Sequence, residues 1–146
     1  MHTNFDDFIA AHQNCCTKSN VASENGKRFE INSIEIFTRI RIDDCLIPSK
    51  QVQKCDFGFV RHSNNDFYFV ELKGKDVKTA FNQIISTITI FETDFIRISQ
   101  DKRFGFIISS RNPLSGIETN NLKQAFAKKY GKVLEIKNKN CKYPPR

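Results

Sequence analysis

The stretch CDFGFVRHSNNDFYFVELKGK, residues 55–75, reads as a β-hairpin: two apolar runs around a polar Ser-Asn-Asn-Asp turn. Side chains alternate between the faces of a strand, so Phe67, Phe69, Glu71 and Lys73 share one face and Tyr68, Val70 and Leu72 the other. Glu71 and Lys73 therefore project together, about 6 to 7 Å apart along the strand. Pairing around Asn64-Asn65 brings Asp56, at the start of the first strand, beside them. Two carboxylates and an amine converge at one end of a sheet.

Charges set into an apolar run such as FYFVEL are expensive unless they are paired or hold a metal. Mg²⁺ or Mn²⁺ removes that cost, because hard cations take carboxylate oxygens and Asp56 and Glu71 supply them. An amine beside such a cation can orient or deprotonate an attacking water, or stabilise charge developing on a phosphate.

Outward from the hairpin, the spacing predicts a helix over 76–93. Val77, Ala80, Phe81, Ile84, Ile85, Ile88 and Phe91 form its apolar stripe, and Asp76 its N-cap. RFGFIISS, residues 103–110, is a nearly continuous apolar run, as in a strand covered on both faces. A helix over 118–130 ends at Gly131, and KVLEIKN is a last strand. Upstream, 3–16 reads as a short helix and TKSNVASENGK as a mobile loop with a turn at Asn25-Gly26. Residues 29–42 read as one long strand, bent or split near Asn32-Ser33, with Ile34, Ile36, Thr38, Ile40 and Ile42 on its inner face. Together these predict an α/β domain, a mixed sheet flanked by helices, spanning 1–146. The tail, about 138–146, is expected to fray.

At 146 residues the chain is the size of one domain. No run of about 18 apolar residues suits a membrane span, and the first residues lack the pattern of a secretory signal, so a cytoplasmic location is expected. Five cysteines without paired spacing read as free thiols, with Cys45 and Cys55 packing beneath the hairpin end. The net charge of +7 suits a polyanionic partner, nucleic acid above all, though an anionic membrane surface would be served too; with no long apolar run, no membrane partner is expected.

Asp56, fourteen intervening residues and then Glu71-Leu72-Lys73 resembles the PD-(D/E)XK motif of the nuclease superfamily with the restriction-endonuclease-like fold. The local form around it is similar to small bacterial and phage members. The core of that superfamily is a helix, three antiparallel strands, a crossover helix and a fourth strand, and the order read here over 5–111 is similar. Cys55 stands where the motif's proline often lies.

The resemblance implies hydrolysis of nucleic-acid phosphodiesters with Mg²⁺ or Mn²⁺. Asp56, Glu71 and the Leu72 carbonyl would be metal ligands and Lys73 would assist the nucleophile. An additional acid is expected upstream, with Glu24 preferred over Glu30, Glu35, Asp6 and Asp7. Lys75, Thr79, Gln83 and Arg111 are the expected contacts to nucleic acid. DNA is the favoured substrate, and a homodimer would provide two sites for the two strands of a duplex. The competing expectation is a catalytically idle module of the same fold that binds nucleic acid or a protein partner.

Overall fold

The computed structural model describes residues 1–72, 76–110 and 115–146. Its centre is a six-stranded mixed sheet in the order β1-β4-β5-β6-β7-β8. The strands are β1 (Cys16–Lys18), β4 (Thr38–Arg41), β5 (Phe57–Val60), β6 (Phe67–Glu71), β7 (Arg103–Ser109) and β8 (Val133–Asn138). From β1 to β6 neighbours run antiparallel; β6, β7 and β8 run parallel, as helical crossovers require. The hairpin is thus β5–β6, and its buried strands lie at the centre of the sheet.

Alternation along these strands divides the core in two. Ile40, Val60, Phe67, Phe69 and Ile107 face the helices α1 (Phe5–Ala11), α2 (Val77–Ile90) and α3 (Gly116–Lys129). The stripe on α2 is buried where it was expected, through Val77, Ala80, Ile84 and Ile88, and the Asp76 carboxylate accepts the Thr79 N–H as its N-cap. A single π-helical turn, Phe91–Phe95, ends this element and seats Phe91 in the core.

Among the described residues no helix covers the opposite face. It carries a second sheet, β2 (Val21–Glu24), β3 (Lys27–Ile31) and β9 (Asn140–Tyr143), whose Ala22, Phe29, Ile31 and Cys141 pack on Phe57, Phe59, Tyr68 and Phe106. The helix-flanked sheet read from the sequence is therefore flanked on one face only. The loop read over 17–27 includes β1 and the β2–β3 hairpin, with the expected turn at Asn25 (φ 54°) and Gly26 (φ 72°), the left-handed pair that a two-residue hairpin favours. The tail read as frayed is paired, since β9 runs parallel to β3.

The long strand read over 29–42 divides near Asn32-Ser33, and its halves join different sheets. Ile34 and Ile36 sit in the connection, 100% and 59% exposed, rather than on an inner face. Asn20 holds that connection, accepting the Phe37 N–H and donating to the Glu35 carbonyl.

Glu35 is clamped by the Arg61 guanidinium at 2.6 Å and by the Ser63 hydroxyl, and the Arg61 hydrogen bonds hold its carboxyl down at about 2. A carboxyl depressed in the folded state contributes stability above its unfolded pKa and loses it as pH falls towards the folded value. The urea midpoint is expected to drop between pH 5 and pH 2, and to drop less in Glu35→Gln. Parallel profiles for the two chains would show that the clamp contributes nothing.

The cysteines also differ from the free-thiol expectation. The 3₁₀ turn Gln13–Cys15 carries Cys15 to the loop after β4, where it is disulfide-bonded to Cys45, Cα to Cα 5.7 Å. Cys16, Cys55 and Cys141 are free. Thiol titration in denaturant should find three groups before reduction and five after. Closing a loop of sequence separation 30 predicts that reduction lowers stability by about 3.6 kcal/mol.

Candidate functional site

The β5–β6 register pairs Phe57 with Val70 and Gly58 with Phe69, and one further step sets Asp56 against Glu71. Phe67, Phe69 and Glu71 alternate onto the face under α2, with the first two in its core. Both carboxylates are buried, Asp56 3% and Glu71 1% exposed. The end of the hairpin thus buries an acid on each strand.

Backbone bonds fix the aspartate. Its N–H donates to the Val70 carbonyl at 3.1 Å, and its carbonyl accepts from Ile42 at 3.0 Å and Asp43 at 3.3 Å. Its Oδ2 accepts the Leu72 N–H at 2.7 Å, so one strand's carboxylate ties down the chain leaving the other. Helix α2 is fastened to the same point. The Cys55 N–H donates to Thr87 Oγ1 at 2.8 Å, and that hydroxyl donates to the Gln83 carbonyl at 2.7 Å.

The Cys55 thiol reports the field of the pair. Burial pushes its pKa well up, and the charges of Glu71 and Asp56 push the same way, so the sulfur stays protonated and is no nucleophile. It does not pack against Cys45 as a second thiol, since Cys45 is bonded to Cys15.

A cavity of about 280 Å³ opens beside Asp56, lined among others by Asp43, Lys54 and Gln83. Lys54 is 8% exposed; its ammonium donates to the Ser49 carbonyl at 2.5 Å and the Val52 carbonyl at 3.2 Å and lies 3.5 Å from Asp43 Oδ1. Gln83 reaches in from α2, its Nε2 donating to the Lys54 carbonyl at 3.3 Å. Gln83 Oε1 is buried and accepts no hydrogen bond among the described residues. Lys54 went unread in the sequence. Its signal was its spacing, two residues before Asp56, which on an extended segment puts both side chains on one side.

Of the other expected site residues, Leu72 is fully buried directly after β6, with its N–H on Asp56. Thr79 is spent on the helix cap, its Oγ1 donating to Asp76 Oδ2 at 2.9 Å. Glu24 ends β2 in the second sheet. It lies 4.0 Å from Arg41, whose register partner Phe57 belongs to the opposite face of the sheet. Glu30 pairs with Arg28 and Glu35 with Arg61. Asp6 and Asp7 are exposed on the first turn of α1. Lys73, Lys75 and Arg111 lie outside the described residues.

Among the described residues no group of three or more His, Cys, Asp and Glu side chains gathers as a complete metal cage. What the hairpin end presents is two carboxylates, with the Leu72 N–H on Asp56 and the cavity opening beside Asp56. Such a sparse all-oxygen set fits Mg²⁺ or Mn²⁺, which keep several waters and take one or two carboxylates plus substrate phosphate. It does not fit a structural zinc site, which demands four protein ligands of nitrogen or sulfur type.

No family model, no curated protein and no solved structure matches this chain.

Proposed function

We propose that the chain is a metal-dependent nuclease that hydrolyses phosphodiesters, DNA more than RNA, at the Asp56/Glu71 end of the β5–β6 hairpin. The observation that carries this reading is the register that sets two buried acids against each other beside an open cavity. The overall charge of +7 adds attraction for a polyanion and predicts binding that weakens with salt.

In this reading Asp56, Glu71 and the Leu72 carbonyl hold the cation. When bound, the cation supplies Lewis acidity to the phosphate and the attacking water. The chain's own groups do the rest. The Leu72 N–H holds Asp56 in one rotamer, so the carboxylate needs no reorganisation when substrate arrives. Lys54, anchored by Asp43, Ser49 and Val52, places a fixed positive charge at the cavity wall, where a phosphate oxygen gains charge as the P–O ester bond breaks. Gln83 Oε1 offers an acceptor to a water or a sugar hydroxyl entering the cavity. Lys73 is assigned the amine that orients the water and takes up its proton.

The test incubates the purified chain with linear and circular duplex DNA, single-stranded DNA and RNA, in Mg²⁺, Mn²⁺ or EDTA, beside a folded Lys73→Ala variant. Metal-dependent cleavage lost in the variant supports the reading and names the substrate. Nucleic acid or a protein partner bound in EDTA, with no cleavage in any metal, would replace it with the idle module.

A further inference from the structure

A second cavity, of about 510 Å³, lies on the sheet face turned away from α2. It sits over the amino ends of β6 and β7, with Tyr68 and Phe104 in its lining, whereas Asp56 and Glu71 occupy the carboxyl end of β6 on the other face. Its size is that of a small-ligand site. Its position keeps it out of the hairpin cleft.

Three rings line it. Tyr68 packs on Phe104 with centroids 5.2 Å apart and meets Tyr143 edge-on at 5.6 Å. Tyr68 is 1% exposed and lines the cavity, and its hydroxyl makes no hydrogen bond to the described residues. A buried tyrosine normally brings its O–H to a partner. Here the cavity is where that partner would enter.

The rim is cationic. Lys132, Lys137 and Lys142 are exposed, line the cavity and make no ion pair among the described residues. Lys132 stands over the Phe104 ring at 5.9 Å. Three acids share the lining: Asp66 is 7% exposed and faces Lys102 at 3.8 Å, Asp101 is exposed, and Glu135 is half-buried two residues before Lys137. Ammonium groups and a phenol hydroxyl donate to a phosphate, the aromatic wall takes a planar ring, and a carboxylate accepts from a sugar hydroxyl or an exocyclic amine. A lone inorganic anion would use only the first of these.

We propose that this cavity binds a nucleoside phosphate, supplied either as a free mononucleotide or as the phosphorylated end of a strand. The proposal stands on the cavity alone and does not require the hairpin site to be catalytic.

Calorimetric titration of the full chain in EDTA, where metal-dependent cleavage is off, tests it with the four ribonucleoside 5′-monophosphates, adenosine, inorganic phosphate, and one oligonucleotide with and without a 5′-phosphate. At least one mononucleotide should saturate a single site, with adenosine and phosphate each about tenfold weaker or more. Tyr68→Phe, which removes one hydroxyl from a site it already fills, should weaken the nucleotide about tenfold, and the exposed Lys132→Gln about threefold. Tighter binding of the phosphorylated oligonucleotide than of the free nucleotide would assign the strand end as the source; the reverse would assign the free nucleotide. Phosphate binding as tightly as nucleotide would mean an adventitious ion only and overturn the proposal. So would no saturation by about 10 mM nucleotide, or affinity unchanged in both variants.

Discussion

Asp56→Asn and Glu71→Gln should each reduce Mg²⁺-dependent cleavage about a thousandfold while leaving the chain folded. The asparagine keeps an oxygen to accept the Leu72 N–H that Asp56 Oδ2 now takes, so the hairpin end retains its geometry and loses only the charge. Magnesium should raise the melting temperature of the wild-type chain, because a cation that binds only the folded state at a hundredfold its Kd adds about 2.7 kcal/mol. For a chain of this size that is a rise of about 5 to 10 °C. Both carboxylate variants should lose the rise and the cleavage together, whereas Lys73→Ala should lose the cleavage and keep the rise. That split separates ligands from the amine that acts on water. Variants that cut as the wild type does, or a magnesium shift that survives in both, would remove Asp56 and Glu71 from the site.

The parts of the molecule that were legible in the sequence are those whose side chains face a single, continuous apolar surroundings. α2 announces itself because Val77, Ala80, Ile84 and Ile88 must meet the sheet every turn, and β5, β6 and β7 because they are buried along their length. The Asp56/Glu71 juxtaposition follows from alternation and a hairpin, two local rules, and was readable for that reason. The second sheet was not. β2 and β3 bury few apolar residues, Ala22, Phe29 and Ile31, beside the buried Lys27, and β9 pairs with a strand more than a hundred residues earlier. Ile34 and Ile36 misled because a period of two was carried through a segment that leaves the sheet. The Cys15–Cys45 bond depends on where the loop after β4 folds back, which spacing does not encode. Glu24, the upstream acid expected from the resemblance, lies on β2 of the second sheet, beside Arg41.

Phe67→Ala should cost about 3 to 5 kcal/mol, a large share of the 5 to 15 kcal/mol that holds a domain together. Phe67 is fully buried at the start of β6, stacked on Phe5 at 5.8 Å and packed against Phe69 at 4.6 Å and Phe91 at 5.2 Å. One ring therefore joins α1, the central strand and the π-helical turn after α2. Gly58, its neighbour across the hairpin, leaves the space the ring occupies: a Cβ there would run into Phe67 Cζ and Cε1 and stand 3.3 Å from Ile42 Cδ1. Gly58→Ala should accordingly destabilise by about 1 to 3 kcal/mol through overpacking. In a Phe67→Leu background the same alanine meets a smaller side chain and should cost less, a coupling of about 1 kcal/mol in a double-mutant cycle read from urea midpoints. Strict additivity, or a loss below about 1 kcal/mol for Phe67→Ala, would mean that this aromatic cluster relaxes freely and does not hold the hairpin. Glu71 stands four residues along the same strand and on the same face, so a loosened Phe67 withdraws the rigid support from the carboxylate pair. Cleavage by Phe67→Leu should then fall further than its folded fraction, with the deficit shrinking as magnesium is raised.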